Sequence, residues 1–245
     1  MLAGRYSKTP FGAVRANYPD DSGIPEVQIT NPSGGILGGD RLEMDVTLAP
    51  GSAATILTQA ANKVYKGAEA RQDAMFRIEE GSFLEYLPNH LIPYPRSSYR
   101  QETEFHLATD ATLLVWDAFS AGRVARGERF AFSGLSVRTR IFREKLPEAT
   151  DGFELLAGDE PFGGYSYLGA AYVLAPRGLE SLAEKLHTVL SGTPRVLVSA
   201  SAPAPCLCAI RILARDATAS YRALNAWRAT SRTYLNLPPA AREVW

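Results

Sequence analysis

With 245 residues, 46% of them hydrophobic, and no Ser/Gly-rich or Pro-rich linker, the chain is expected to form one β-rich domain over residues 1–245. Its 26 basic and 26 acidic residues cancel, which removes the electrostatic footprint of a nucleic-acid or membrane-surface binder and favours association over solubility in isolation. No apolar run is long enough to span a bilayer, the segment 1–8 lacks a signal-peptide core, and Cys206 and Cys208 are the only thiols, so the cytoplasm is the expected compartment.

The first strong local signal is the run Asn-Pro-Ser-Gly-Gly-Ile-Leu-Gly-Gly-Asp, residues 31–40, which holds Gly34, Gly35, Gly38 and Gly39 and closes on Asp40. Glycine loses more backbone freedom on folding than any other residue. A cluster therefore implies turns with positive φ, or something that must approach the backbone closely. Residues 41–48 follow, with Leu42, Met44, Val46 and Leu48 in one phase and Glu43, Asp45 and Thr47 in the other, the period of a half-buried strand. A phosphate-cradling loop needs a helix N-terminus after its glycines and a Gly-Lys-Ser/Thr ending. A strand follows here and that ending is absent, so no nucleotide site is expected.

Three later segments share one layout: residues 48–56, 78–86 and 107–115. Each ends a strand on an apolar residue, turns at Pro50-Gly51, Glu80-Gly81 or Thr109-Asp110, and begins another alternating strand. Ala74, Phe76 and Ile78, then Thr103, Phe105 and Leu107, alternate before the turns. A spacing of roughly 30 residues is in the range of stacked repeats, whose extended surfaces commonly bind other proteins. The expected fold is mainly β, a stacked-sheet, solenoid or β-helix-like domain with about two helices in the C-terminal half; an ordinary meander with similar turns is the other reading.

Those helices are predicted at 179–190, where Leu179, Leu182, Ala183, Leu186, Val189 and Leu190 have helical spacing before Gly192, and at 216–234. In the second, Asp216 is the N-cap and Tyr221, Leu224, Ala226 and Trp227 form a packing stripe, with Pro238-Pro239 as the stop. Residues 194–213 read as strand–loop–strand, with Pro203 and Pro205 in the loop. The Pro-rich tail is not helical, and Trp245 is either packed back on the fold or a docking anchor.

Four blocks in order resemble the urease accessory protein UreD family, called UreH in some organisms. Residues 31–42 are similar to the family's paired glycines closed by Asp-X-Leu. Leu57-Thr-Gln-Ala-Ala-Asn-Lys-Val-Tyr65 resembles its Lys-X-Tyr block, carried here by Lys63 and Tyr65. Leu84-Glu-Tyr-Leu-Pro88 resembles its Leu-Glu-Trp-Leu-Pro, and Trp116-Asp, Gly122-Arg123 and Gly127-Glu128-X-Phe130 a further run. The start is short relative to the family, which is expected to leave an edge strand missing and backbone groups unpaired. Asn62 and Tyr86 depart from the usual residues.

The resemblance implies a non-enzymatic scaffold acting with UreF-like and UreG-like proteins on apo-urease. It would insert nickel, with GTP hydrolysis in the UreG-like partner and an internal route for the metal. No tightly bound cofactor is implied, only transient nickel(II). The rivals are a β-solenoid enzyme acting on carbohydrate, with Asp117 and Glu128 as its carboxylates, and a generic interaction scaffold.

A tight nickel site would use imidazole or thiolate. His90 is a loop residue able to touch metal, His106 is expected to face out and His187 to lie on the polar side of its helix. Cys206 and Cys208 are expected on one apolar face with Ile210 and Ile212. Asp40 has two readings: its carboxylate caps turn amides, or it also lines a weak path for nickel, since an ion in transit must leave as well as bind. Lys63 pairs with an acid or satisfies a polar interior. Glu128 and Asp117 read more naturally as partners of Arg123 or Arg126 than as an acid–base pair.

Overall fold

Period-two alternation organises the chain into two facing sheets in a computed structural model that describes residues 3–244. The strands are β1 (Gly12–Ala13), β2 (Glu26–Thr30), β3 (Arg41–Leu48), β4 (Ala53–Thr58), β5 (Asn62–Val64), β6 (Ala70–Ile78), β7 (Phe83–Leu87), β8 (Leu91–Pro93), β9 (Ser98–Leu107) and β10 (Thr112–Ser120). After a short 3-10 turn at Val124–Arg126 come β11 (Gly134–Arg143), β12 (Leu146–Leu156), β13 (Tyr167–Leu174), helix α1 (Glu180–Ser191), β14 (Val196–Ala204), β15 (Leu207–Ala214) and helix α2 (Ala217–Tyr234).

The expected solenoid is present. β2, β4, β7 and β10 pair in parallel in one sheet, and β3, β6, β9 and β11 pair in parallel in the other. The three look-alike turns are successive layers of one stack. Gly51 N–H donates to the Glu80 carbonyl at 2.7 Å, and Gly81 N–H to the Asp110 carboxylate at 2.8 Å. β5 and β8 lie parallel to each other, following the loops 59–61 and 88–90. After β11 the pairing turns antiparallel. β12 folds back on β11, while β13, β15 and β14 extend the first sheet, giving the orders β1-β2-β4-β7-β10-β13-β15-β14 and β12-β11-β9-β6-β3.

The inward phase of each strand fills the space between the sheets with two apolar clusters. One is built around Phe76, Phe105 and Leu113, the other around Ile36, Tyr99, Phe119 and Val137. On the other face of the first sheet, α1 and α2 lay Leu182, Leu186, Leu224 and Trp227 over Leu114, Trp116 and Ile210. Beneath α2 a charge is buried too. The Glu85 carboxylate meets Arg228 at 2.6 Å and Arg232 at 2.7 Å, and accepts from Thr55. Burial alone would raise the Glu85 pKa, but the two guanidiniums outweigh it and hold the group below the usual range.

Several expectations change in the C-terminal half. Val189 is 43% exposed rather than part of the packing stripe, and Gly192 closes α1 in the right-handed region. Asp216 does cap α2, accepting from Ala219 N–H at 2.8 Å. That helix stops before Pro238-Pro239, because Asn236 takes a left-handed φ of 57°. Pro203 lies inside β14, where its register with β15 shifts, instead of in a loop. Cys208 is in the core with Ile210 and Ile212, whereas Cys206 belongs to the turn before β15 and is half-buried. The tail returns to the fold at Val244, whose N–H and carbonyl both bond Asn225; Trp245 lies outside the described residues. At the other end, β1 and Asn17 pair along β2, so the edge expected to be bare is covered there.

Candidate functional site

The close neighbour of the glycine run is the next coil's own backbone. Ile36 N–H donates to the Lys63 carbonyl at 2.7 Å, and Gly39 N–H to the Ala68 carbonyl at 3.0 Å. A Cβ on Gly35 would stand 2.5 Å from the Lys63 oxygen, and one on Gly38 would stand 2.5 Å from the Gly67 Cα. Gly34 and Gly39 supply the positive φ of the turns, 75° and 86°. Asp40 Oδ2 accepts from Leu37 N–H at 2.8 Å, so its carboxylate does cap the turn.

Several motif residues that are distant in sequence form one chain across the coils. The Tyr65 hydroxyl donates to the Gly34 carbonyl, and its ring meets Tyr94 edge-on at 5.0 Å. The Arg123 guanidinium lies 4.6 Å from the Tyr94 ring centre and grips Glu128 through two bonds of 2.5 and 2.6 Å. Gly122 lets the Glu128 carbonyl approach, and Gly127, at φ 73°, closes the 3-10 turn. Asp40 stands apart from this chain, bonding its carbonyl to Arg71 N–H. Of Lys63, the contacts described above involve the main chain.

A second group, deeper in, carries the chemistry. Where the two inter-sheet clusters meet, the inward phase turns polar. Gln72 of β6 and Gln101 of β9 are cross-strand neighbours, as are Thr103 of β9, Thr139 of β11 and Asp151 of β12. From the facing sheet comes Asp117 of β10, in one row with Ala170 and Arg211. Gln101 Nε2 donates to Asp117 Oδ1 at 3.0 Å and Thr139 to Oδ2 at 3.2 Å. Asp151 in turn accepts from Tyr172 and Arg211.

Burial pushes Asp117 up to about 6; the bonds from Gln101 and Thr139 pull the other way, Asp151 adds to the rise and Arg211 opposes it. Burial likewise raises Tyr86 and Tyr172. A cavity of about 200 Å³ runs from Asp117 and Thr139 to Asp151, Tyr172 and Arg211 between apolar walls that include Phe119, Val137 and Phe162. A smaller one, of about 20 Å³, reaches Asp117 from Asn62, Asn89, Gln72 and Gln101. Asp117 is thus the polar group common to both, with Phe119 lining each beside it. Beside Thr139, the buried Thr103 hydroxyl has no hydrogen-bond partner among the described residues, so the polar belt has capacity left over.

The histidines fall elsewhere. His90 is buried, its Nε2 2.9 Å from Ser220 Oγ, between the rings of Tyr167 and Tyr221; burial lowers its pKa to about 4. His106 stacks on Phe142 and contacts Glu104, and His187 is exposed on α1. Among the described residues, no three His, Cys, Asp or Glu side chains converge as a metal site. Among the described residues Asp117 and Glu128 share no hydrogen-bond or ion-pair partner, and Glu128 is held by Arg123 through two bonds.

A family model described as UreD urease accessory protein matches residues 1–245. The chain belongs to the UreD family. It is 34% identical to the urease accessory protein UreD of Cenarchaeum symbiosum (strain A), over 79% of this chain and 74% of that one. It is 32% identical to urease accessory protein UreD 2 of Streptomyces griseus subsp. griseus, over 86% and 77%. With UreD of Delftia acidovorans the identity is 29% over 96% and 86%.

In this UreD-family chain, the sequence blocks are mostly coil-stacking devices: glycines at close contacts, Tyr65 and Arg123 as braces, Glu85 as the anchor for α2. Asp117 was expected to pair with Arg123 or Arg126; its partners are instead Gln101 and Thr139, and these, with Gln72, are the residues that sequence reasoning passed over. One signal was available. Extending the alternation of Ala74, Phe76 and Ile78 two residues back reaches Gln72, and extending that of Thr103, Phe105 and Leu107 reaches Gln101.

Proposed function

We propose that this chain is the β-rich scaffold of a nickel-insertion complex for urease, working in the cytoplasm with UreF-like and UreG-like partners and docking on apo-urease. It is not itself an enzyme, and GTP hydrolysis belongs to the UreG-like partner. Nickel(II) passes as cargo rather than residing as a cofactor.

One observation carries this reading: a buried carboxylate, Asp117, stands where two interior cavities meet on a polar belt between the sheets. Neutral oxygen donors with a single carboxylate bind a borderline cation weakly, as a relay requires. Asp40 is the second candidate on the path, with its turn-capping bond as its structural duty.

The test is urease activation in cells supplying urease, its partners and nickel. Asp117→Asn is expected to leave the accessory complex assembled while urease nickel content falls at least about tenfold, a loss corresponding to about 1.4 kcal/mol of relay affinity. Full nickel content with Asp117→Asn would sink the relay. Asp40→Ala is expected to cost stability of about 1 kcal/mol, the worth of a lost cap, and to lower urease nickel content once folded protein is matched; full nickel content would take Asp40 off the path.

A further inference from the structure

The two sheets do not end together. On the side of the antiparallel strands, the first sheet runs on through β13, β15 and β14, while the second stops at β12. Asp151 of β12 reaches Tyr172 of β13 and Arg211 of β15, so β12 faces this part of the first sheet. The last strand, β14, keeps an uncovered inward phase: Leu197 is 55% exposed, and Ser199 and Ser201 are exposed beside it. At the opposite end the mismatch is only β1, two residues long. β12 is eleven residues long, pairs among the described residues with β11 alone, and leaves Leu146 71% and Leu156 57% exposed. One more strand on β12, about 4.8 Å away, would lie over β15 and β14 and complete the missing layer.

The charges on β12 decide what that strand is. Glu148, Asp151 and Glu154 are its charged residues, and all are acidic; Arg143 already holds Glu148 and Arg211 holds Asp151, so Glu154 is the acid offered to an incoming cation. A second copy paired antiparallel over the whole strand would set Glu154 opposite Glu148 twice, an acid facing an acid that brings it no cation of its own strand. A segment with Lys or Arg in its outward phase and aliphatic residues in its inward phase meets Glu154 on one side and Leu197 on the other.

We propose that β12 and the uncovered face of β14 form a docking edge for an extended, basic–aliphatic segment of a different protein, added as a further strand. Main-chain bonds to β12 supply the affinity, and the alternate side chains supply the selection. The ledge borders the Asp117 cavity through Asp151 and Arg211, but its test reads peptide binding rather than nickel content, so it stands or falls separately from nickel transfer.

The test uses the full chain and a capped peptide of alternating Lys and Val, followed by titration and by hydrogen exchange at β12. Exchange at β12 is expected to slow on binding, and Glu154→Lys or Leu197→Asp to weaken binding about tenfold or more, with circular dichroism unchanged. A peptide with Glu in place of Lys, or with alternate amides N-methylated, is expected not to bind. Equal binding of the N-methylated peptide, no binding at millimolar concentration, or binding without protection of β12 would overturn the proposal. Concentration-dependent self-association that protects β12 would overturn it too, giving the edge to a second copy.

Discussion

Asp117 and His90 are both buried, and burial moves their pKa values in opposite directions, to about 6 and about 4. The neutral His90 contributes stability that is complete above its ordinary value near 6.5 and is lost as pH falls towards 4. The protonated Asp117 contributes stability that is complete below 3.8 and is lost as pH rises through 6. At about 1.4 kcal/mol per pKa unit, each is worth roughly 3 kcal/mol, so between pH 4 and 6 the two slopes nearly cancel. Single variants uncover them. Urea midpoints of Asp117→Asn are expected to rise steadily from pH 4 to 6, and those of His90→Gln to fall over the same range. Identical slopes in both variants would mean that neither group is titrating as its burial requires. Nothing local announced Asp117's surroundings: Gln101 and Thr139 reach it from 16 and 22 residues away, on the opposite sheet. Following Leu-Leu-Val-Trp, its carboxylate read as one awaiting an arginine. Glu128 did find Arg123, five residues away, because that pairing is local.

At the scale of elements, the glycines of the first coil separate two effects. Gly35 and Gly38 lack space, with backbone or ring atoms within 2.6 Å of a built Cβ, whereas Gly34 has open space and only an unfavourable φ. Gly35→Ala and Gly38→Ala are expected to cost about 2–4 kcal/mol by forcing the first coil away from the second. Gly34→Ala should cost only about 1 kcal/mol. Thermal unfolding ranks the three, and equal losses would refute close approach as the reason for the cluster. The coil architecture was legible because strand alternation and turn chemistry are local and repeat. The direction in which glycine backbone would be approached was not legible, since the approaching atoms belong to residues 63–68. Pro203 was misplaced for a related reason: a shift in register tolerates a proline inside a strand, and register depends on the partner β15.

Across the whole molecule, the Glu85, Arg228 and Arg232 group decides whether the helical layer stays down. Glu85→Ala would leave two guanidiniums buried without their carboxylate, at a cost of about 3–5 kcal/mol, and should expose α2 to protease before the sheets. Limited proteolysis of folded protein checks this; cleavage appearing first in the sheets would refute it. The same ion group has a consequence in time. Glu85 and Arg228 are separated by 143 residues. At a synthesis rate of about 5–20 residues per second, the carboxylate emerges roughly 7–30 seconds before its cations. During that interval the coils can stack in the order in which they are made, but the face awaiting α2 stays wet around Glu85 and sticky around Trp116. The newborn protein therefore passes through a half-clad stage whose lifetime is set by the ribosome, and a pause in translation after β10 would prolong the stage at which it is most open to aggregation or to a chaperone.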